Sequence, residues 1–440
     1  MYPDWPESEA DLMPPPQVDG PKLKAFKFSR ARKIDFLEYA GAGTHSQVFK
    51  VKIEGEIYAL KVFRWTDGDE WPGPDIDPDA YSHEALTAFA NHAEPFNCEC
   101  RAFARLQESG HEDLAIRCFG YVLINEEEEK EMVDRFEVSF DSEEFGGFPA
   151  YMGKQRARYP GKRSGREPPL RAIVKAFGKV DTLFNASVVK KMFRDIVQLH
   201  RLGIASLDVA TRQLVDGKPS DLSQALTTPN FIMTPELNPL LSPEQVARLE
   251  NETFRCCRTD FARLEDLVLV WNQEHKKARD KIWIDPFPNQ RQHNLRKMPA
   301  RRNNLPYTFA DPRLYDWRKS SVASDESEGS INATAKGGRR QRPGGNVDSF
   351  RGSRGSGAKK KQRRIDLFPA RWYYECDDKE AADLEGWRDA YPRLSEYEYR
   401  DGLIFPPAPK KPPPPMAPLS ELAPEHRRTL EAFGTIPRQT

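Results

Sequence analysis

The sequence lacks net charge: 67 Lys and Arg stand against 67 Asp and Glu. That balance removes any whole-chain electrostatic argument for nucleic acid or an anionic surface. It also lacks an apolar run near the roughly 18 residues that a membrane helix needs, so no membrane association is expected. Cysteines are few, six in 440 residues, and none forms a CxxC pair. Cys98 and Cys100 are one residue apart and Cys256 and Cys257 are adjacent, spacings that suit a tetrahedral zinc site poorly. Reduced thiols of a cytosolic or nuclear protein are the plain reading. The opening MYPDWPESEADLMPPP is acidic and proline-rich, the opposite of a secretory signal. No internal repeat is visible. Apolar residues reach only 38%, beside 37 prolines, so a sizeable disordered fraction is expected.

What is present is concentrated between positions 34 and 318. Residues 1–30 read as a disordered leader. Then IDFLEYAGAGTHSQVFKVKIEGEIYALKVFRW alternates apolar and polar residues around the turn dipeptide Glu54-Gly55, which predicts strand, glycine loop, strand, turn, strand. Residues 66–82 read as a loop. A helix is predicted through CECRAFARLQESG, stopped by Gly110, followed by a strand in LAIRCFGYVLI. The stretch 125–168 breaks the pattern, acidic first and basic after, and reads as a mobile surface insert. Strand LRAIVKAFG, helix SVVKKMFRDIVQLHRLG and a helix in TDFARLEDLVLVWNQEHKKA follow. Residues 319–365 are Ser-, Gly-, Arg- and Lys-rich and cannot bury a core. Residues 366–440 read as a mostly disordered aromatic and proline-rich tail, whose PPAPKKPPPP run favours polyproline II.

Five elements in this region could carry chemistry. Gly41-x-Gly43-x-x-Ser46-x-Val48 follows a strand, and glycines there let backbone N–H groups approach phosphate oxygens. Ala59-Leu60-Lys61 lies one hairpin later, where protein kinases hold the lysine of the α and β phosphates. Glu99 is placed on a helix to pair with Lys61, with Glu84 as a rival. Asp208, in Ser206-Leu207-Asp208, holds the place of the catalytic aspartate, and Gln213 that of a metal-binding asparagine. Asp221, in Asp221-Leu222-Ser223, holds the place of the aspartate that binds Mg²⁺. Between them LVDGKPS reads as a tight hairpin. Asp260, read as opening a long helix, is expected to brace the catalytic loop from below. Thr234-Pro235-Glu236 could stand for the segment that closes a kinase activation loop. Each element alone is ordinary; an isolated loop aspartate is most often a cap. The ordered set is the signal.

The runs NCECRAFARL, AIRCFGYVLI, LRAIVKAFG and MFRDIVQLHRLGI..LDVATRQ…SDLS resemble the fungal kinetochore Sim-complex subunit family called Fta-two, over roughly residues 34–275. The resemblance implies an α+β, protein-kinase-like fold of two lobes, residues 34–178 and 182–318. It implies a nuclear, centromere-associated role beside other kinetochore proteins, and not catalysis by itself. ATP and Mg²⁺ are the ligands that the kinase-like elements imply: Gly41, Gly43, Val48, Ala59, Lys61 and Glu99 on the nucleotide, Asp221 and Gln213 on the metal. Ser206 and Leu207 depart from the usual His-Arg, and Gln213 carries its carbonyl one methylene further out than Asn. Mg²⁺ tolerates little distortion of its octahedron, so weakened metal binding is expected.

Three functional readings stay open: a kinase-like, weak or inactive scaffold subunit at the kinetochore; an active ATP- and Mg²⁺-dependent kinase; and a kinase-like domain serving elsewhere. The basic tract, Arg339 to Arg342, Arg351, Arg354 and Lys359 to Arg364, reads as a nuclear import signal, a nonspecific nucleic-acid contact, or a solvated linker.

Overall fold

A computed structural model describes chiefly residues 18–27, 33–66, 83–140, 167–180, 184–237, 241–275 and 310–319, with isolated positions between them. The basic loop of the insert, the basic tract and the proline run lie outside the described residues, or nearly so.

The first third is a five-stranded antiparallel sheet. Strands β1 (Asp35–Ala42), β2 (Ser46–Ile53) and β3 (Glu56–Phe63) form a meander. Glu54 and Gly55, at φ 51° and 94°, make the left-handed two-residue turn between β2 and β3. Helices α1 (His83–Ala93) and α2 (Pro95–Glu108) come next. Glu94 caps α2 by accepting from the Asn97 N–H at 3.2 Å, and Pro95 sits where no helical hydrogen bond is lost. Strand β4 (Cys118–Ile124) leads to α3 (Glu126–Phe136), opened by a reciprocal cap between Asn125 and Glu128. A two-residue hairpin, β5 (Glu144–Phe145) and β6 (Phe148–Pro149), precedes β7 (Leu170–Ala176). Strand β7 inserts between β3 and β4, giving the order β1-β2-β3-β7-β4.

The second part is mainly helical. Helix α4 (Ala186–Arg201) buries Val189, Met192, Phe193, Ile196 and Val197 against α5 (Pro243–Glu274). Between them run β8 (Ile204–Ala205), paired with β11 (Leu226–Thr227), and the tight hairpin β9 (Leu214–Val215) and β10 (Lys218–Pro219). Asp216 and Gly217 form its turn at φ 49° and 73°. A last small hairpin, β12 (Glu398–Arg400) and β13 (Leu403–Phe405), stands inside the segment expected to be mostly disordered.

Three expectations need correction. Part of the leader is folded: Leu23 is fully buried, and Phe26 N–H donates to Tyr121 O at 2.8 Å along β4. Gly120 makes this possible. A Cβ there would stand 2.6 Å from Lys24 O, and its φ of 137° suits only glycine. Helix α5 begins at Pro243, sixteen residues before the predicted TDFARLED stretch, because Ser242 and Gln245 form a capping box that hydrophobic periodicity does not register. Asp260 therefore lies inside α5 and does not open it. The acidic half of the insert is α3, as its helix-like sequence suggests, but Met132 is buried in the core, so this half packs against the sheet region and is not a mobile surface insertion.

Two buried arginines of α2 tie the sheet to the helical part. Arg101 donates to Thr227 O and Pro229 O, and to Asp19 O of the leader. Burial lowers its pKa to about 10. Arg105 donates to Leu202 O at 2.9 Å and to Thr228 O at 2.5 Å, beneath the Tyr315 ring at 4.0 Å. Each carbonyl that accepts from a buried guanidinium is worth about 1.5–3 kcal/mol, because the alternative is an unpaired buried charge.

Candidate functional site

Strand β3 places Lys61 opposite Val48 of β2 and Ile173 of β7. Val48 in turn pairs with Gly41 of β1, and Ala59 with Lys175 of β7. Side chains on one face of a strand recur every second residue, so Lys61 shares its face with Ala59. Helix α2 crosses behind and presents Glu99. The Lys61 ammonium lies 2.6 Å from Glu99 Oε2 and 2.7 Å from Asp221 Oδ1. Of the two expected partners, Glu99 meets Lys61.

Glu99 is shared. Its second oxygen accepts from Lys175, on the same face of β7, and Lys175 also donates to Ser220 O at 2.6 Å. Burial works against the Lys61 ammonium, but the carboxylates of Asp221 and Glu99 outweigh it and raise its pKa. For Lys175 burial prevails over Glu99, and with Lys61 beside it the pKa is lowered. Burial would raise the Asp221 pKa, yet Lys61 and Lys175 hold it far below the usual carboxylate range. Asp221 also accepts from the Ser223 N–H at 2.9 Å.

A second group forms around Asp208. Arg212 lies 3.0 Å from Asp208 Oδ2, and the Gln213 amide donates to the same carboxylate. The loop is held from below by Asp260, fully buried in α5. Its oxygens accept from Ser206 N–H at 2.9 Å and Leu207 N–H at 2.7 Å, and His200 Nε2 lies 2.8 Å away. These bonds stabilise Leu207 at φ 63°, a conformation that costs a branched residue energy. Ser220 joins the two groups. Its N–H and hydroxyl both donate to Gln213 O at 2.8 Å, while its own carbonyl accepts Lys175.

Above lies the glycine loop between β1 and β2. Among the described residues nothing stands within 4 Å of where a Cβ would be at Gly41 or Gly43, which leaves open space there. The Gly43 N–H, however, is used on Ser46 O at 2.8 Å. The loop tip is fastened to the segment after Asp221: His45 Nδ1 lies 3.3 Å from Ser223 Oγ and His45 Nε2 lies 3.0 Å from Gln224 Nε2. The expected segment-closing Thr234-Pro235-Glu236 begins a short 3₁₀ turn, Pro235–Leu237.

Lys175, Arg212, Ser220 and His45 were not singled out in the sequence. Lys175 carried a signal: a lysine inside the largely apolar, two-sided buried strand LRAIVKA needs an internal counter-charge. Arg212 lies four residues after Asp208 and could have been read as its partner. His45 and Ser220 gave no signal, since their partners are distant in sequence.

Residues 12–226 match the family model for the kinetochore Sim4 complex subunit FTA2. Over this segment the chain is similar to the FTA2 family. A comparison with curated proteins gives no match. The FTA2 segment holds Lys61, Glu99, Lys175, Asp208, Gln213 and Asp221, and it starts early enough to include the docked leader residues. Asp260 lies beyond its end. The resemblance read from the sequence started later, at 34, because the leader shows no periodicity. Among the described residues no three His, Cys, Asp or Glu side chains gather as a metal site, and no helix is long and apolar enough to cross a membrane.

Proposed function

We propose that this chain is a kinase-like subunit of a kinetochore complex, weak or inactive in phosphoryl transfer, that works as a scaffold. Its partners are other proteins of that complex, and its place is the centromere in the nucleus. The match of residues 12–226 to the FTA2 family model supports the kinetochore role. The sheet with its crossing helix α2 and the helical part around α4 and α5 serve as the two lobes. The cleft between them suits a nucleotide, with open space at Gly41 and Gly43 and an ammonium at Lys61 for phosphate oxygens.

One observation carries the reading of weak catalysis. A general base needs free oxygens within about 3 Å of the acceptor hydroxyl. The Asp208 carboxylate is already bonded by Arg212 and Gln213. The intact Lys61–Glu99 pair favours the second reading, an active kinase. There Lys61 would hold phosphates, Asp221 and the Gln213 carbonyl Mg²⁺, and Asp208 the acceptor hydroxyl. Bound ATP would supply the phosphoryl group.

Two measurements test this. The purified full chain should transfer no phosphate from labelled ATP to itself or to co-purified proteins above the level of Asp208→Asn. Transfer that Asp208→Asn abolishes would establish the second reading. A fluorescently tagged chain should form foci at centromeres through mitosis, and a diffuse signal would remove the scaffold role there. The basic tract at 339–364 is proposed as an import signal. Its deletion should leave the tagged chain outside the nucleus.

A further inference from the structure

A protein-kinase cleft brings one lysine together with a glutamate and two aspartates, and metal ions offset the excess negative charge before a triphosphate can enter. The same four positions here are Lys61, Glu99, Asp208 and Asp221. One lysine against three carboxylates leaves two negative charges. The structure adds two cations to that set. Lys175 bonds the second oxygen of Glu99 and is held beside Asp221 by Ser220 O. Arg212 pairs with Asp208 at 3.0 Å. The two added cations cancel both charges.

Part of the donor set that a metal would use is also engaged. Asp221 Oδ1 is 2.7 Å from Lys61, and the Asp208 carboxylate holds Arg212 and the Gln213 amide. A divalent ion at Asp221 would sit against a buried ammonium, whose like charge opposes it. Lys175 can take no other role as a surface lysine, because its side chain is only 5% exposed. A buried ammonium on a strand that faces this cleft is kept where its charge acts on whatever the cleft holds.

We infer that the cleft takes a nucleoside triphosphate without a divalent metal ion, with Lys175 and Arg212 supplying the charge that metal ions supply in a kinase. This rests on the kinase-like reading of the cleft proposed above. It also explains how nucleotide binding and weak phosphoryl transfer can coexist: phosphate is held, but no metal draws charge from the leaving group.

The test is titration of the full chain with a fluorescent ATP analogue, in EDTA and in Mg²⁺, for the unaltered protein, Lys175→Met, Lys175→Arg and Arg212→Ala. Saturable binding in EDTA is expected. Lys175→Met should weaken it by about tenfold or more, Lys175→Arg should retain most of it, and Mg²⁺ should recover affinity in Lys175→Met. Arg212 is 71% exposed, so Arg212→Ala should fold normally and lose a few-fold. Binding that requires Mg²⁺ in the unaltered chain, or equal affinity in EDTA for all four proteins, would overturn the inference. Failure to bind under either condition would overturn it together with the nucleotide reading of the cleft.

Discussion

Replacing Asp260 by alanine should remove the support of the Ser206–Leu207–Asp208 loop. Its carboxylate is fully buried and accepts from two backbone N–H groups at 2.9 and 2.7 Å, beside His200 Nε2 at 2.8 Å. Alanine would leave both N–H groups without a partner in the interior. Each orphaned group costs about 1–3 kcal/mol. The loss of the His200 contact adds to this, so a destabilisation of about 3–6 kcal/mol is expected. Against a total stability of about 5–15 kcal/mol that is a large share. Asp260→Asn keeps one accepting oxygen and places an NH₂ where the other was, so it should cost about half as much. Urea unfolding of the full chain, followed by tryptophan fluorescence, measures both. If Asp260→Ala unfolds within about 1 kcal/mol of the unaltered protein, Asp260 does not hold the loop. If Asp260→Asn costs as much as Asp260→Ala, charge and not hydrogen bonding sets the effect.

Glu99→Ala should cost about 3–5 kcal/mol, since it leaves the buried Lys61 and Lys175 ammoniums without their common carboxylate. Combining it with Lys175→Met should recover part of that loss in urea unfolding, and strict additivity would count against a shared carboxylate. The pKa of His92 is lowered to about 3, first by burial and then by Arg101, against 6.5 unfolded. Its folded form stays neutral while the unfolded chain takes up a proton, so stability is full above pH 6.5 and falls as pH drops toward 3, by at most about 1.4 kcal/mol per unit. His92→Gln should flatten that part of a stability–pH profile; an unchanged slope would assign it to other groups. Gly120→Ala should push a Cβ against Lys24 O and cost about 1–3 kcal/mol. Trypsin should then cut at Lys22, Lys24 or Lys27 much faster than in the unaltered chain, and equal rates would show that the leader is not held there.

The elements with strong periodicity were legible: β1 to β4, β7, α2 and α4 fall where alternation and the 3.6-residue repeat put them. So were the chain-local turns at Glu54-Gly55 and Asp216-Gly217, because their dipeptides require left-handed backbone. Lys61, Glu99 and Asp221 could be named from order and spacing, and the structure sets them in contact. What could not be read were partners fixed only by tertiary packing. Lys175 on Glu99, His45 on Ser223 and Gln224, and Arg101 on Pro229 join segments up to 179 residues apart. The leader was misjudged for a related reason. Its residues bury surface only because Gly120 lets the chain run close along β4, and nothing in their own pattern records that neighbour. Asp260 was assigned the right task at the wrong place in its helix, since the helix start depends on a cap and not on the apolar face.

The anchoring of α2 by Arg101 and Arg105 has a dynamic consequence. Cleft-bearing proteins usually open and close by swinging one half against the other about a few hinge residues. Here the helix that carries Glu99 is fastened by side chains to carbonyls at 202 and 227–229 of the helical part. A swing would strip two buried guanidiniums of their acceptors at once. The two halves should therefore move and unfold together, and amides of α2 should exchange with solvent as slowly as those of α4. A block of that kind presents its outer faces at fixed separation, so partners can dock on both without first having to order the chain between them.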